Sequence, residues 1–110
     1  MPLNSFAYIW EYQVKEAHLD AFEHAYGPYG EWVRLFKEAT GYIDTHLHKD
    51  MNNPSHFVTV DFWSTREAYE KFKARFSDEF KKLDEFCSQF TESEKFIGDF
   101  ECTFSPTTSR

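Results

Sequence analysis

The sequence predicts an α+β fold: a four-stranded antiparallel sheet with helices on one face, in the order strand, helix, strand, strand, helix, strand. Three observations carry this expectation. Apolar residues alternate with period two in the strand segments and recur at helical spacing between them. The two central strand segments are separated only by Asp50-Met51-Asn52-Asn53-Pro54-Ser55, whose turn formers favour a hairpin. Aromatic residues make up 20% of the 110 residues, 13 of them Phe, so the apolar surface is carried by large rings that can fill a core or line a pocket.

Along the chain, Phe6, Tyr8, Trp10, Tyr12 and Val14 alternate with Ala7, Ile9, Glu11 and Gln13, a strand with apolar groups on both faces. The period then changes. Leu19, Phe22 and Tyr26 share a helical face, and Gly27-Pro28-Tyr29-Gly30 breaks it before Trp32, Leu35, Phe36 and Ala39 mark a second short helix. Gly41 stands where a helix-terminating glycine is expected. Tyr42 to Lys49 and His56 to Trp63 are the hairpin strands. Ser64 and Glu67 form a Ser-x-x-Glu capping box for a helix that places Ala68, Tyr69, Phe72 and Phe76 on one side. Ser77-Asp78 restarts the helical stripe through Phe80, Leu83, Cys87 and Phe90. A last strand runs roughly from Phe96 to Phe104, with a bulge or close backbone approach expected at Gly98.

This order is the ferredoxin-like βαββαβ plan. Its sheet has two faces, and the first and last strands carry apolar groups on both. No further elements remain to cover the second face. A second copy of the chain is the simplest cover, so a homodimer is expected.

The length suits one domain over residues 1–110, with an ordered core from about 5 to 104 and a loose tail at 105–110. The formal net charge is −7 with no basic run, which argues against nucleic acid and anionic membrane as partners. The opening Met-Pro-Leu-Asn-Ser-Phe lacks a basic segment followed by a long apolar run, and no stretch approaches membrane-spanning length. A cytoplasmic protein is expected. Cys87 and Cys102, the only cysteines and in no Cys-x-x-Cys arrangement, read as reduced thiols.

Three segments carry a family resemblance: Phe22-Glu23-His24-Ala25-Tyr26-Gly27-Pro28-Tyr29-Gly30-Glu31-Trp32-Val33-Arg34-Leu35-Phe36, then Gly41-Tyr42-Ile43-Asp44-Thr45, and Thr59-Val60-Asp61-Phe62-Trp63-Ser64-Thr65-Arg66-Glu67-Ala68-Tyr69. In these the chain resembles the antibiotic biosynthesis monooxygenase (ABM) family from about Phe6 to Phe104. The resemblance implies a dimeric α+β barrel with a ligand cavity in each subunit. It also implies an activity range from cofactor-independent oxygenases of aromatic polyketides and quinols to haem-degrading enzymes and members with no known activity. The haem-degrading pattern uses an Asn on the first strand, a Trp, and an axial His on the second long helix. Trp63 matches the Trp. The first strand has no Asn and the stretch from Thr65 to Phe90 has no His, so haem is expected to be neither bound nor degraded, and no other cofactor is implied.

In the hairpin, Ile43, Thr45 and Leu47 are expected to share the helix-covered face with Val58, Val60 and Phe62. The opposite face then gathers Tyr42, Asp44, His46, His48, Phe57, Thr59, Asp61 and Trp63, to which the first strand adds Tyr8, Trp10 and Tyr12. Rings, imidazoles and carboxylates together suit a flat, polar-aromatic ligand. His46, Asp61 and Trp63 are the candidate catalytic groups: a base in His46 or Asp61, and an indole that orients a ring. Tyr8, Trp10, Tyr12, His48 and Phe57 are candidate substrate contacts. Arg34 reads either as a steering charge for an acidic or phenolate ligand or as a side chain snorkelling to water. Trp63 suits core packing as well as a cavity. His46-x-His48 would hold a metal only if Asp44 or Asp61 converged on it, and no metal site is expected. His18 and His24 read as surface residues.

No nucleophile with an adjacent base, phosphate loop or dinucleotide fingerprint is present, which argues against hydrolase, kinase and nicotinamide chemistry. Two functions remain. One is a cofactor-independent monooxygenase of a small phenolic, quinol or polyketide-like molecule; the other is a non-catalytic ligand-binding or structural homodimer.

Overall fold

The computed structural model describes residues 5–103. The strands β1 (Phe6–Val14), β2 (Tyr42–Lys49), β3 (His56–Trp63) and β4 (Thr91–Glu101) form one antiparallel sheet in the order β2-β3-β1-β4. The helices are α1 (Leu19–Tyr26), α2 (Glu31–Phe36), α3 (Arg66–Arg75) and α4 (Ser77–Cys87), with short 3-10 turns at Glu16–His18 and Ser88–Phe90. This is the ferredoxin-like α+β plan, and the bounds of β1, β2 and β3 coincide with the sequence periodicity. The loose tail expected at 105–110, and Phe104 with it, lies outside the described residues.

The helices cover the face of the sheet that carries the rings. Phe22 and Tyr26 stack at 4.3 Å on α1 and meet Tyr12 of β1 at 5.2 and 5.0 Å. Phe36 of α2 and Phe72 of α3 pack on Trp63 of β3 at 5.6 and 5.2 Å. Ring-on-ring contacts of this kind add to the area they bury. The helices therefore select the aromatic side, whereas aliphatic Ile9, Val58 and Val60 point to the other face.

Two glycines permit this packing. A Cβ at Gly30 would lie 2.1 Å from the His24 carbonyl oxygen, so only glycine lets the chain turn back over the end of α1 into α2. Gly41 has φ +97 and leads into β2, where the Ser64 N–H donates to its carbonyl oxygen at 2.7 Å.

Three local expectations are corrected. The cap of α3 is Thr65, whose Oγ1 accepts from the Ala68 N–H at 3.0 Å; Ser64 is still tied to Gly41, so the Ser64–Glu67 box does not form. The last strand begins at Thr91 because its polar first half, Thr91 to Lys95, pairs with β1 although only its later residues carry apolar groups. Its register shifts twice: once where Ile9 pairs with Gly98 and Trp10 with Phe96, leaving Ile97 as the extra residue, and again between Gln13 and Val14.

The third correction governs the site. Tyr42 pairs with Trp63, yet the next pair is Asp44 with Phe62, so β2 is irregular at Ile43. From there on Thr45 pairs with Asp61, His46 with Val60, Leu47 with Thr59 and His48 with Val58. A one-residue slip exchanges faces. Tyr42, Thr45 and Leu47 join Asp61 and Trp63 under the helices, and Asp44, His46 and His48 lie on the outer face with Val58, Val60 and Phe62.

Candidate active site

A cavity of about 300 Å³ lies between sheet and helices, at the small end of the range for ligand sites. Its floor comes from β1 and β3, which place Tyr8, Trp10 and Tyr12 beside Thr59 and Asp61, with Thr45 reaching in from β2. Tyr26, Trp32 and Phe36 close it on one side, and Tyr69 and Phe80 on the other. Lys73, Asp84 and Glu94 bring charge to its rim.

Asp61 is the buried charge. It is 9% exposed on an interior strand, and burial pushes its carboxyl up to about 7, against the opposing pull of a hydrogen bond from Thr45. Thr45 Oγ1 donates to Asp61 Oδ1 at 2.7 Å, and the Tyr42 hydroxyl stands 2.7 Å from the same Oγ1. A threonine hydroxyl has one proton, so with Asp61 ionised the chain runs from Tyr42 to Thr45 to Asp61. Asp61 Oδ2 takes no hydrogen bond among the described residues. Nearby, the hydroxyls of Tyr12 and Thr59 share a bond of 3.1 Å. Burial holds the Tyr12 and Tyr69 phenols well above their ordinary range, and Tyr42 is pushed up to about 12, again by burial. These phenols are donors at neutral pH, leaving Asp61 as the proton acceptor of the floor.

Of the candidate residues, Tyr8, Trp10, Tyr12 and Asp61 meet in this cavity. Trp63 stands behind it, 0% exposed, packed on Tyr69 and Phe36 at 5.3 and 5.6 Å. Phe57 is buried beneath Phe22 at 5.0 Å. Arg34 is exposed and pairs with Glu31 at 3.5 Å, the snorkelling alternative. His46 and His48 are exposed on the outer face, where His46 Nε2 meets Asp44 Oδ2 at 3.0 Å and its ring meets Phe62 at 5.1 Å. The expectation that His46 shares a space with Asp61 therefore fails, because the Ile43 irregularity turns the imidazoles away. No group of three or more His, Cys, Asp or Glu among the described residues is placed to hold a metal.

Thr45 lies under the helices as expected, but the pairing that follows the Ile43 irregularity sets it beside Asp61, from which the sequence separates it. Lys73, Asp84 and Glu94 carried no signal in the sequence, since each sits among ordinary solvated charges and reaches the cavity only through the packing of α3, α4 and β4.

Fold and site together define a small α+β protein with an aromatic cavity between sheet and helices and one buried carboxyl in its floor. The sequence profile of the family described as antibiotic biosynthesis monooxygenase matches residues 5–85, and the chain belongs to that family. No curated protein sequence matches the chain. Among solved structures, SnoaB of Streptomyces nogalater, described as a cofactor-independent oxygenase, superposes with a TM-score of 0.72 at 11% identity, covering 94% of this chain and 97% of its own. A conserved protein of Methanosarcina mazei Go1 gives a TM-score of 0.69 at 16% identity, covering 90% and 93%. At these identities the likeness is one of fold.

Proposed function

We propose that the chain is a cofactor-independent monooxygenase of a small phenolic or quinol-like molecule, with Asp61 as the general base. The observation that carries this reading is a buried carboxyl held near 7 in the floor of a ring-lined cavity. A base poised near the working pH is half ionised yet basic enough to take a proton from an acidic phenol or activated methylene. The substrate anion then gives up electrons to oxygen directly: one oxygen atom ends in the product as a carbonyl, and the other leaves with two hydrogens as water. Tyr8, Trp10 and Tyr12 hold the substrate ring in place, which is most of what such a reaction asks of a protein. Trp63 acts through Tyr69 and Phe36 as a positioning residue. The family membership and the description of SnoaB support the reaction class.

The outer face supports a homodimer. Ile43, Ile97 and Phe100 are 37%, 42% and 49% exposed there, beside Ile9, Val58 and Val60. A second copy laid on this face would cover it.

Oxygen uptake with a panel of quinols and anthrones, with no added flavin or metal, tests the activity. The expected result is uptake that needs the protein, falls roughly a hundredfold in Asp61→Asn, and survives His46→Ala. Absence of uptake across the panel, with the protein folded and dimeric, would leave the non-catalytic binding reading.

A further inference from the structure

The rim of the cavity carries charge that an oxygenase of neutral quinols does not require. Asp84 of α4 and Glu94 of β4 both line it, and neither forms an ion pair among the described residues. Burial, and then the charge of Asp84, raise the Glu94 carboxyl above its ordinary range. Asp61 in the floor is 9% exposed with Oδ2 unbonded. The Tyr12 phenol lies in the field of all three carboxylates.

Against these stands one cation. Lys73 Nζ lies over the rings of Phe80 and Tyr69, at 5.0 and 5.9 Å, and makes no ion pair with the rim carboxylates. The rim is therefore net negative. The walls favour a cation wherever Tyr8, Trp10, Tyr12, Tyr26, Trp32 or Tyr69 presents a π face to this small space. The negative face of an aromatic ring attracts a cation and repels an anion. A carboxylate-bearing ligand would meet repulsion from the rim carboxylates and from the ring faces, and a neutral ligand would leave Asp84 and Glu94, both exposed, to water.

From this charge pattern we propose that the cavity selects hydroxylated aromatic molecules bearing a protonated amine. The ring lies among the tyrosines and tryptophans, its hydroxyl faces Asp61, and the ammonium group meets Glu94 and Asp84 at the rim. The inference rests on the cavity being a ligand site and not on turnover, so it is tested by equilibrium binding.

Three probes share one phenol ring and a short side chain but differ in charge: tyramine, tyrosol and para-hydroxyphenylacetate. Calorimetric titration at neutral pH and low salt is expected to show tyramine binding roughly tenfold more tightly than tyrosol, with the arylacetate weakest. In the Asp84→Asn/Glu94→Gln double variant the gap between tyramine and tyrosol should close while tyrosol binding stays the same. Lys73→Met should widen the gap. Circular dichroism checks that each variant is folded; both carboxylates sit at the rim, so either single variant serves if the double one is unfolded. Tyramine no tighter than tyrosol, an arylacetate that binds best, an amine preference that persists without the two carboxylates, or no binding of any probe would each overturn the proposal. An amine preference without oxygen uptake would leave this inference standing and remove the oxygenase reading, so the two fail separately.

Discussion

Thr45 Oγ1 stands 2.7 Å from Asp61 Oδ1, donating the one hydrogen bond this buried carboxyl receives among the described residues. Its effect opposes that of burial: desolvation lifts the Asp61 carboxyl to about 7, and the Thr45 hydroxyl limits the rise. The pair sets the pH range over which the cavity holds a base.

Asp61→Asn should change how stability varies with pH. A carboxyl at about 7 in the folded chain and near 3.8 in the unfolded one keeps its proton longer when folded. Unfolding then releases a proton between those values, so stability falls as pH rises from about 4 to about 7, by at most about 4 kcal/mol. The asparagine variant should lose that portion of the fall. Urea melts of both proteins across this range check it, and curves of equal slope would contradict the assignment.

Thr45→Val removes the donor and leaves Asp61 harder to ionise. If turnover depends on ionised Asp61, it rises with pH through about 7 in the parent protein. In the variant the rising limb should move to higher pH by about one unit, in line with a hydrogen bond to a charged group. A pH profile of oxygen uptake tests this, and an unmoved midpoint would detach Thr45 from the base.

Gly41→Ala should destabilise the fold by about 1–3 kcal/mol. Its φ of +97 disfavours a side chain, and a Cβ there would lie 2.6 Å from the Ala68 Cβ and 2.8 Å from Ser64 Oγ. Thermal melting provides the measurement. A variant as stable as the parent would mean that the entry to β2 is looser than these distances imply.

Val60→Asp on the outer face should convert the proposed dimer to a folded monomer. Val60 pairs with Ile9 and His46 across the sheet and its side chain faces away from the helices, so the intramolecular core is untouched. Light scattering should show half the mass with an unchanged circular dichroism spectrum. A dimer of undiminished stability would place the subunit contact elsewhere.

Most of the architecture was legible because each strand and helix carries its own periodicity. Phe6 to Val14 alternates without interruption, and the Leu19–Phe22–Tyr26 spacing admits only a helix. The composition of the site was legible in β1 and β3, where Tyr8, Trp10, Tyr12 and Asp61 sit on undistorted strands. It failed in β2. Parity counted from Tyr42 puts His46 beside Asp61, and nothing in Tyr42-Ile43-Asp44 announces that Ile43 interrupts the count. The preference of the helices for the aromatic face was likewise hidden, since aliphatic and aromatic faces are both apolar and only the shapes of Phe22, Phe36 and Phe72 decide between them.

Tyr42 lies on an edge strand, half-buried, at the far end of the hydroxyl chain that reaches Asp61 through Thr45. The rim of the cavity, by contrast, is formed by α3, α4 and β4 on the other side of the site. If Asp61 acts as the proposed base, proton and organic molecule have separate doors. A hydrogen ion collected in the floor can be handed along two hydroxyls toward the β2 margin while the front entrance is stoppered by its guest, so recharging the carboxylate does not oblige the protein to flood a compartment where water would compete with oxygen chemistry.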